Sequence, residues 1–293
     1  MKKCLIFTQK NSEFYFKEEY PDLNLKTTSL EVDDVIVEFS SLKDKPVLHS
    51  GQNLEFEKYD SVMFRNSFRN NGVEFTMLFG KIFENFYKIK SCQSVFASEK
   101  CLLPTKSLQT YCLFKNKLPI IDSWIGYGNA FLKLEMFDFK YPAIVKLSSG
   151  SEGKEVFLVK SKEEAIEVFN QFKSEILLVQ PFLLNDGDVR VMVLGNKAIW
   201  AIARKTESAN EYRNNVAQGG ATELLTLTDE MENLAVRASE AVYYDLAGVD
   251  LIKVRDSNEW KVMEVNWTPS IAAFKSKEPI STDEEMMRML IEN

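Results

Sequence analysis

Asp250, Glu264 and Asn266 place three oxygen-bearing side chains within one short stretch, DLAGVDLIKVRDSNEWKVMEVNWTP, Asp245 to Pro269. The stretch reads as a β-hairpin. Val249 to Val254 is apolar and β-branched, Asp256-Ser257-Asn258 is turn chemistry, and Trp260 to Val265 is a second strand. Glu264 and Asn266 are two apart, so on a strand they share a face. With a loop of residues 256 to 258, Asp250 stands opposite Glu264. Two carboxylates 4 Å apart repel by about 1 kcal/mol in water and about 4 at an effective dielectric of 20. An ordinary sheet avoids that pairing, whereas a divalent cation reverses its sign. An oxygen-only set suits Mg²⁺ or Mn²⁺ rather than zinc. The competing reading is a solvated acidic hairpin face.

Two other stretches carry residues suited to anions. Lys146 ends a strand and precedes Ser148-Ser149-Gly150-Ser151-Glu152-Gly153, where small residues let backbone N–H groups approach phosphate oxygens. The string GSEGKE is not a P-loop, because it lacks G-x-x-x-x-G-K-[ST] and precedes a strand. A plain glycine-rich turn is the alternative. Arg213-Asn214-Asn215 with Gly219-Gly220 lies in a long polar segment, KTESANEYRNNVAQGG. An arginine there can clamp phosphate bidentately, and a surface loop is the alternative. Arg65 and Arg69 flank the end of an expected strand, where they can hold a carboxylate or simply be solvated.

The elements that must position these groups follow from periodicity. Residues 1–97 read as a small α/β unit with strands at Lys3–Thr8, Val35–Phe39 and Ser61–Phe64, and another near Val95. Between them, Phe75, Leu78, Phe79, Ile82, Phe83 and Phe86 form one face of a helix over Val73 to Ile89. From Thr105, an N-cap candidate, a helix runs to Lys115. Then come a strand at Ile120–Trp124, a helix near Asn129–Phe137, strands at Ala143–Leu147 and Val156–Val159, and a helix that Ser161 and Glu164 start as a capping box. A strand at Ile176–Gln180 closes this second unit, 98–180. The third unit, 181–293, opens with a hairpin of Val189–Leu194 and Ala198–Arg204 around Gly195-Asn196. A helix over Asp229–Tyr244, the acidic hairpin and a closing helix from Thr282 to Glu292 complete it.

The 293 residues are 45% hydrophobic, enough for a substantial core, and carry a net charge of −7. That balance argues against a general nucleic-acid or anionic-membrane binder. Cys4, Cys92, Cys101 and Cys112 show no CxxC spacing, and with His49 alone they supply no zinc framework. The apolar run near the N-terminus, Cys4 to Phe7, is too short for a secretory signal, and nothing approaches the roughly 18 apolar residues of a membrane span. A soluble cytoplasmic protein with reduced thiols is the expectation.

In order, the chain shows Lys106, Lys146 with its glycine-serine loop, Gln180-Pro181-Phe182, Asp188-Val189-Arg190, Arg204, Arg213-Asn214-Asn215, Gly219-Gly220, Ala247-Gly248-Val249-Asp250 and Met263-Glu264-Val265-Asn266. This series resembles the ATP-grasp superfamily, and within it the RimK-type ligases, over roughly residues 98–275. The resemblance implies an α/β (α+β) fold class, an ATP-grasp fold preceded by a small α/β domain, and an assembly into dimers or tetramers. It implies that Lys106 and Lys146 contact ATP phosphates under a loop carrying Ser149, Gly150, Ser151 and Gly153. Gln180, Pro181 and Phe182 then form the linker that reads adenine, and Asp188 binds the ribose. Arg213, Asn214 and Asn215 contact phosphates at the reacting end. Asp250, Glu264 and Asn266 hold two Mg²⁺ (or Mn²⁺), and Arg204 faces the acyl-phosphate site, with Arg204 and Arg213 as the catalytic pair.

The implied activity is ATP-dependent amide formation between the carboxylate of a peptide or protein and an amino-acid amine, through an acyl phosphate. Three departures from the family pattern bear on the substrate rather than on ATP: Ala217-Gln218 replace a usual His-Arg, Asn266-Trp267-Thr268-Pro269-Ser270 replaces N-x-S-P-G, and Pro181 stands where glutamate is usual. Two other functions fit the same residues. One is ester or amide closure within a ribosomal peptide; the other is a nucleotide-binding regulatory module without turnover.

Overall fold

Among the described residues, three larger sheets are each built from a different part of the chain, and a two-stranded antiparallel sheet of residues 35–38 and 47–50 accompanies the first. The computed structural model describes residues 1–8, 16–31, 35–52, 54–64, 72–91, 105–135, 138–150, 155–205, 221–267, 269 and 281–292. The Arg65, Arg69, Cys92, Cys101, Ser151, Gly153, Arg213, Asn214, Asn215 and 217–220 positions, and the strand expected near Val95, lie outside these residues.

The first unit contains β1 (Lys2–Thr8), β2 (Glu19–Tyr20), β3 (Leu25–Glu31), β4 (Val35–Glu38), β5 (Val47–Ser50), β6 (Ser61–Phe64), α1 (Gly72–Ile82) and β7 (Lys90–Ser91). Its main sheet has the order β2-β3-β1-β6-β7, with β1 parallel to both neighbours. Phe7, Phe79 and Phe83 pack together beneath it, as the aromatic spacing predicts for the last two, whereas Phe86, expected on the same face, is exposed because the helix has widened by that point. The helix is shorter than that spacing suggests. It loosens into a wide turn over Phe83–Tyr87 and stops at Lys88, whose φ of 59° leaves the helical region. The strands β3 and β5 are not foreseen, because their patterns mix lysine, threonine and histidine with apolar residues.

The second unit has α2 (Lys106–Lys115), β8 (Trp124–Tyr127), α3 (Gly128–Lys133), β9 (Ala143–Leu147), β10 (Val156–Val159), α4 (Lys162–Gln171) and β11 (Ile176–Pro181). Its antiparallel sheet runs β10-β9-β11-β8. One face, Ala143, Val145, Leu177 and Val179, packs on Phe131 of α3 and on Ala165 and Phe169 of α4. Strand alternation leaves Ile144, Lys146, Leu178 and Gln180 on the other face. Both expected caps form: the Thr105 hydroxyl accepts from the Leu108 N–H, and the Ser161 hydroxyl from Glu164. Glu164 reaches back to the Lys160 N–H, one residue before the position a capping box uses. The strand expected at Ile120–Trp124 is displaced to β8. Pro119 and Ile120 instead dock on the final hairpin, with Ile120 bridging Val262 and the Val262 N–H donating to Pro119 O at 2.8 Å.

The third unit comprises β12 (Asp188–Leu194), β13 (Lys197–Lys205), β14 (Ala221–Leu225), α5 (Asp229–Ala241), β15 (Leu246–Lys253), β16 (Trp260–Asn266) and α6 (Thr282–Glu292). Its sheet runs β14-β13-β12-β15-β16, antiparallel throughout. Val189, Val191, Val193, Val249, Leu251 and Val265 face α5, which answers with Met231, Leu234, Ala235 and Ala238. The opposite face divides in two along its length. Met192, Leu194, Trp200, Ile202 and Leu246 bury against Cys4, Ile6 and Met63 of the first unit and Met286, Met287 and Leu290 of α6. The remainder of that face is polar and carries the candidate site. Among the described residues no helix is long and apolar enough to cross a membrane.

Candidate active site

Strand register brings the polar residues of this face together. Asp188 pairs with Arg204, Arg190 with Asp250, Asp250 with Glu264, and Gly248 with Asn266. Directly paired residues point to the same side of a sheet, so four strands contribute to one patch. The Asp250–Glu264 pairing is the expected one, but the route to it differs. Near the turn the register is one residue tighter, with Leu251 opposite Val262, and a bulge at Met263 restores Asp250 to Glu264. The bulge also turns Val262 and Val265 both into the core.

The acids are neutralised by the chain's own cations. Asp250 is almost fully buried. Its Oδ1 accepts from Arg190 Nε at 2.8 Å, and its Oδ2 from Arg190 Nη2 at 2.8 Å, Arg204 Nη2 at 2.9 Å and Asn266 Nδ2 at 3.1 Å. Arg204 also donates to Asp188 Oδ2, through Nε at 2.8 Å and through Nη2. The result is an alternating row, Asp188–Arg204–Asp250–Arg190. Burial raises the Asp250 pKa, but Arg190 and Arg204 outweigh it and hold the carboxyl at about 2. Asp188 has only the shared guanidinium. Burial raises its pKa, Arg204 opposes, Asp250 reinforces the rise, and the carboxyl is pushed up to about 6.

Glu264 is less buried and faces Lys106, with 3.5 Å between Oε1 and Nζ. Lys106 Nζ also donates to the carbonyl of Gly150, so one ammonium ties the glycine-serine loop to β16. The start of α2 is clamped to the same loop. The Lys106 N–H donates to Ser148 O at 2.9 Å, the Ser107 N–H to Ser148 Oγ at 3.2 Å, and Ser148 Oγ to Ser107 Oγ at 2.8 Å. From the next turn Gln109 accepts the Val265 N–H at 3.2 Å, between Glu264 and Asn266.

Lys146 is the exception to this pairing. It is only 8% exposed, and among the described residues its ammonium has no hydrogen-bond or ion-pair partner. Burial lowers its pKa, Glu264 opposes, Lys106 reinforces the fall, and Asp250 and Asp188 oppose more weakly. A buried, unpaired ammonium is costly. Among the described residues, Lys106, Lys146, Arg190 and Arg204 share this face with Asp188, Asp250 and Glu264, and Lys146 alone of the four cations is left without a partner.

The other expected site residues lie as follows. Ser149 is exposed and Gly150 half-buried. Gln180 is buried and donates to Ser123 Oγ at 2.9 Å. Pro181 ends β11, and the Phe182 N–H is taken by Pro142 O at 3.0 Å. Asp188 and Arg204 are enclosed in the ion row rather than presented at its surface. Arg190, Gln109 and Gly248 were not assigned roles from the sequence. Only the sheet register reveals Arg190 beside Asp250. A Cβ on Gly248 would lie 2.6 Å from Pro269 Cβ and 3.4 Å from Arg190 Cδ and Nε, so a glycine is needed beneath the Arg190 side chain.

The RimK-like ATP-grasp domain family matches residues 105–290, more than half of the chain. The chain belongs to that family. A probable alpha-L-glutamate ligase of Haemophilus influenzae (strain PittEE) is 33% identical over 170 residues, covering 57% of this chain and 55% of the relative. The chain therefore matches about half the length of such curated relatives. Among solved structures, the ATP-grasp ligase PsnB complexed with minimal precursor aligns with a TM-score of 0.70 at 15% identity, over 99% of both chains. A second PsnB structure contains minimal precursor, Mg and ADP. Macrocyclase MdnC from Microcystis aeruginosa MRC, bound with precursor peptide MdnA, aligns at 0.67 with 14% identity over 99% of this chain and 100% of its own. These likenesses extend over the whole chain, first unit included, and show a fold like that of ATP-grasp ligases.

The RimK-like site also passes a test of its donor chemistry. Asp250, Glu264 and Asn266 supply oxygens only. The Asn266 amide nitrogen faces Gly248 O and Asp250 Oδ2, which turns its Oδ1 the other way, free for a hard cation. Guanidinium and ammonium groups already stand against both acids, showing that the pair holds positive charge. Among the described residues no group of three or more His, Cys, Asp and Glu side chains is placed to hold a metal ion by itself.

Proposed function

We propose that this protein is an ATP-dependent carboxylate–amine ligase that forms an amide on a peptide through an acyl phosphate. The observation that carries the reading is Lys146, a buried ammonium without a partner among the described residues, beside the Asp250–Glu264 acid pair. A triphosphate supplies the missing anion, and the acid pair suits the Mg²⁺ that accompanies it. Family membership and the ATP-grasp fold support the same assignment.

In this reaction a carboxylate attacks the γ-phosphorus of ATP, releasing ADP and leaving an acyl phosphate. An amine then attacks the acyl carbon, and phosphate departs as the amide forms. Both reactants of the first step are anions, so the protein must offset their repulsion. Lys146 and Lys106 stand where they can bind phosphate oxygens. Lys106 also holds the glycine-serine loop at the Gly150 carbonyl. Asp250, Glu264 and Asn266 would hold the divalent ions, which supply charge neutralisation of the transferring phosphoryl group. The chain needs no protein nucleophile, in keeping with its single histidine. Arg213, Asn214 and Asn215 are proposed to contact the reacting phosphates. We assign residues 1–97, 98–180 and 181–293 as the three functional units.

The test is release of ADP in the presence of ATP, Mg²⁺, a peptide carboxylate and an amine. Glu264→Ala should abolish turnover and leave the circular dichroism spectrum unchanged, since Glu264 lies on an edge strand. Unchanged turnover in that variant would remove the metal assignment. Tight ATP binding without ADP release, across a broad panel of carboxylates and amines, would favour a regulatory module instead.

A second reading has specific support. The full-length structural matches include ligases solved with precursor peptides and a macrocyclase. Ester or amide closure within one ribosomal peptide uses the same acyl phosphate with an internal nucleophile. Mass spectrometry separates the two: closure removes one water from the peptide, and addition of an amino acid adds its residue mass.

A further inference from the structure

Asp250 is crowded with donors. Two carboxylate oxygens offer about four acceptor positions; Arg190 takes one on Oδ1, while Arg190, Arg204 and Asn266 crowd Oδ2 with three contacts. A cation that ligates this residue meets two guanidiniums at close range, and that repulsion is relieved if a donor leaves. The three donors are not equally free to do so. Arg204 is shared with Asp188, and both are nearly fully buried. Withdrawing Arg204 would strand a second buried carboxylate, a costly outcome. Asn266 contributes one neutral contact and turns its Oδ1 away. Among the described residues Arg190 pairs with Asp250 alone, and its side chain is the more exposed of the two arginines, 13% against 5%. Its stem lies over Gly248, where no side chain obstructs it.

We propose that Arg190 is a resident counterion of Asp250, a positioning residue that competes with a divalent cation for this carboxylate and gives way when the cation binds. This rests on the metal reading given above and adds a coupling to it. Displacement converts a paired arginine into an unpaired one, in a site that already holds the unpaired Lys146. Metal loading therefore increases the demand for an anion there. Conversely, without an anion to receive the guanidinium, Arg190 competes with the metal. Wild-type protein should bind divalent metal weakly until nucleotide is present. The coupling is reciprocal, as any linkage between two ligands must be.

The experiment is a Mn²⁺ titration followed by electron paramagnetic resonance, with and without a non-hydrolysable ATP analogue, on wild type, Arg190→Met, Arg190→Lys and Glu264→Gln. Without nucleotide, Arg190→Met should bind Mn²⁺ about tenfold or more tighter than wild type, because the metal now relieves a buried unpaired carboxylate. Its thermal midpoint should also rise more on adding Mn²⁺ than that of wild type. Arg190→Lys, whose single ammonium cannot span both oxygens, should move the same way by a smaller factor. If Arg190→Met does not fold without metal, the lysine variant carries the test. Equal or weaker nucleotide-free Mn²⁺ binding in the variants, alongside Mn²⁺ binding by wild type with the analogue, overturns the counterion role and leaves the ligase reading standing. Failure of wild type to bind Mn²⁺ even with the analogue, or binding unaffected by Glu264→Gln, instead overturns the metal site on which both rest.

Discussion

Asp188 and Asp250 are the same residue type on neighbouring strands, yet their environments separate them. Asp250 receives two guanidiniums and is held at about 2, while Asp188 shares one and is raised to about 6. The sign of each effect on stability follows. Asp188 has a folded pKa above the unfolded value, so its contribution is full below about pH 4 and is lost as pH rises through about 6. Urea unfolding of wild type should show a decline of roughly 1–3 kcal/mol from this group between pH 4 and pH 7. Asp188→Asn should flatten that slope. Gly248→Ala tests the packing under Arg190. Its Cβ would meet Pro269 Cβ at 2.6 Å, so we expect a loss of about 1–3 kcal/mol, with activity falling further than stability alone explains. Cys4 is completely buried and its thiol is pushed up to about 12. Peptide mapping after maleimide treatment at pH 8 should find it unlabelled in native protein and labelled in urea.

At the scale of elements, α2 and β16 act as a unit. β16 is an edge strand, and such strands carry unpaired N–H groups on their outer side. Here those of Val262 and Val265 are taken by Pro119 O and Gln109 Oε1. Three residues before Gln109, Lys106 faces Glu264. The helix therefore sets the height of the strand that carries two of the three proposed metal ligands. Gln109→Met keeps the volume but leaves the Val265 N–H unsatisfied, at a cost of about 1–3 kcal/mol. The expected result is a lower urea midpoint and a raised Mg²⁺ requirement for turnover. A stability loss with no change in metal requirement would limit Gln109 to a structural role.

Across the whole molecule, the first and third units share one core. Cys4, Ile6, Tyr20, Leu25 and Met63 pack with Met192, Trp200, Leu246, Met286 and Met287. Trp200 is fully enclosed there, and its Nε1 donates to Thr282 Oγ1 at 2.9 Å. The outer rim carries the Lys17–Glu284 ion pair and a bond from Lys2 Nζ to Ile291 O. Burying each large apolar side chain contributes roughly 1.5–3 kcal/mol, so removing the first unit exposes far more than a linker. A fragment of residues 98–293 should bind a hydrophobic dye and show red-shifted tryptophan emission, or precipitate. A monomeric fragment with native emission would show that the two units fold separately.

The sequence by itself determined what local chemistry can specify. The caps at Thr105 and Ser161, the hairpin about Gly195, the limits of β6, β9 and β10, and the facing of Asp250 and Glu264 all depend on neighbours a few residues apart. The ATP-grasp family was also legible, because its polar residues stand in a recognisable order along the chain. Only the tertiary structure decided what answers those acids. Arg190 and Asp250 are far apart in sequence and meet through strands that no short turn connects, so no spacing rule places them together. The same holds for Gln109 on β16 and for the Pro119–Ile120 segment, whose apolar run suggests a strand but whose backbone partner lies in another unit. Local pattern sets which groups a segment presents, and long-range register sets which of them neutralise one another.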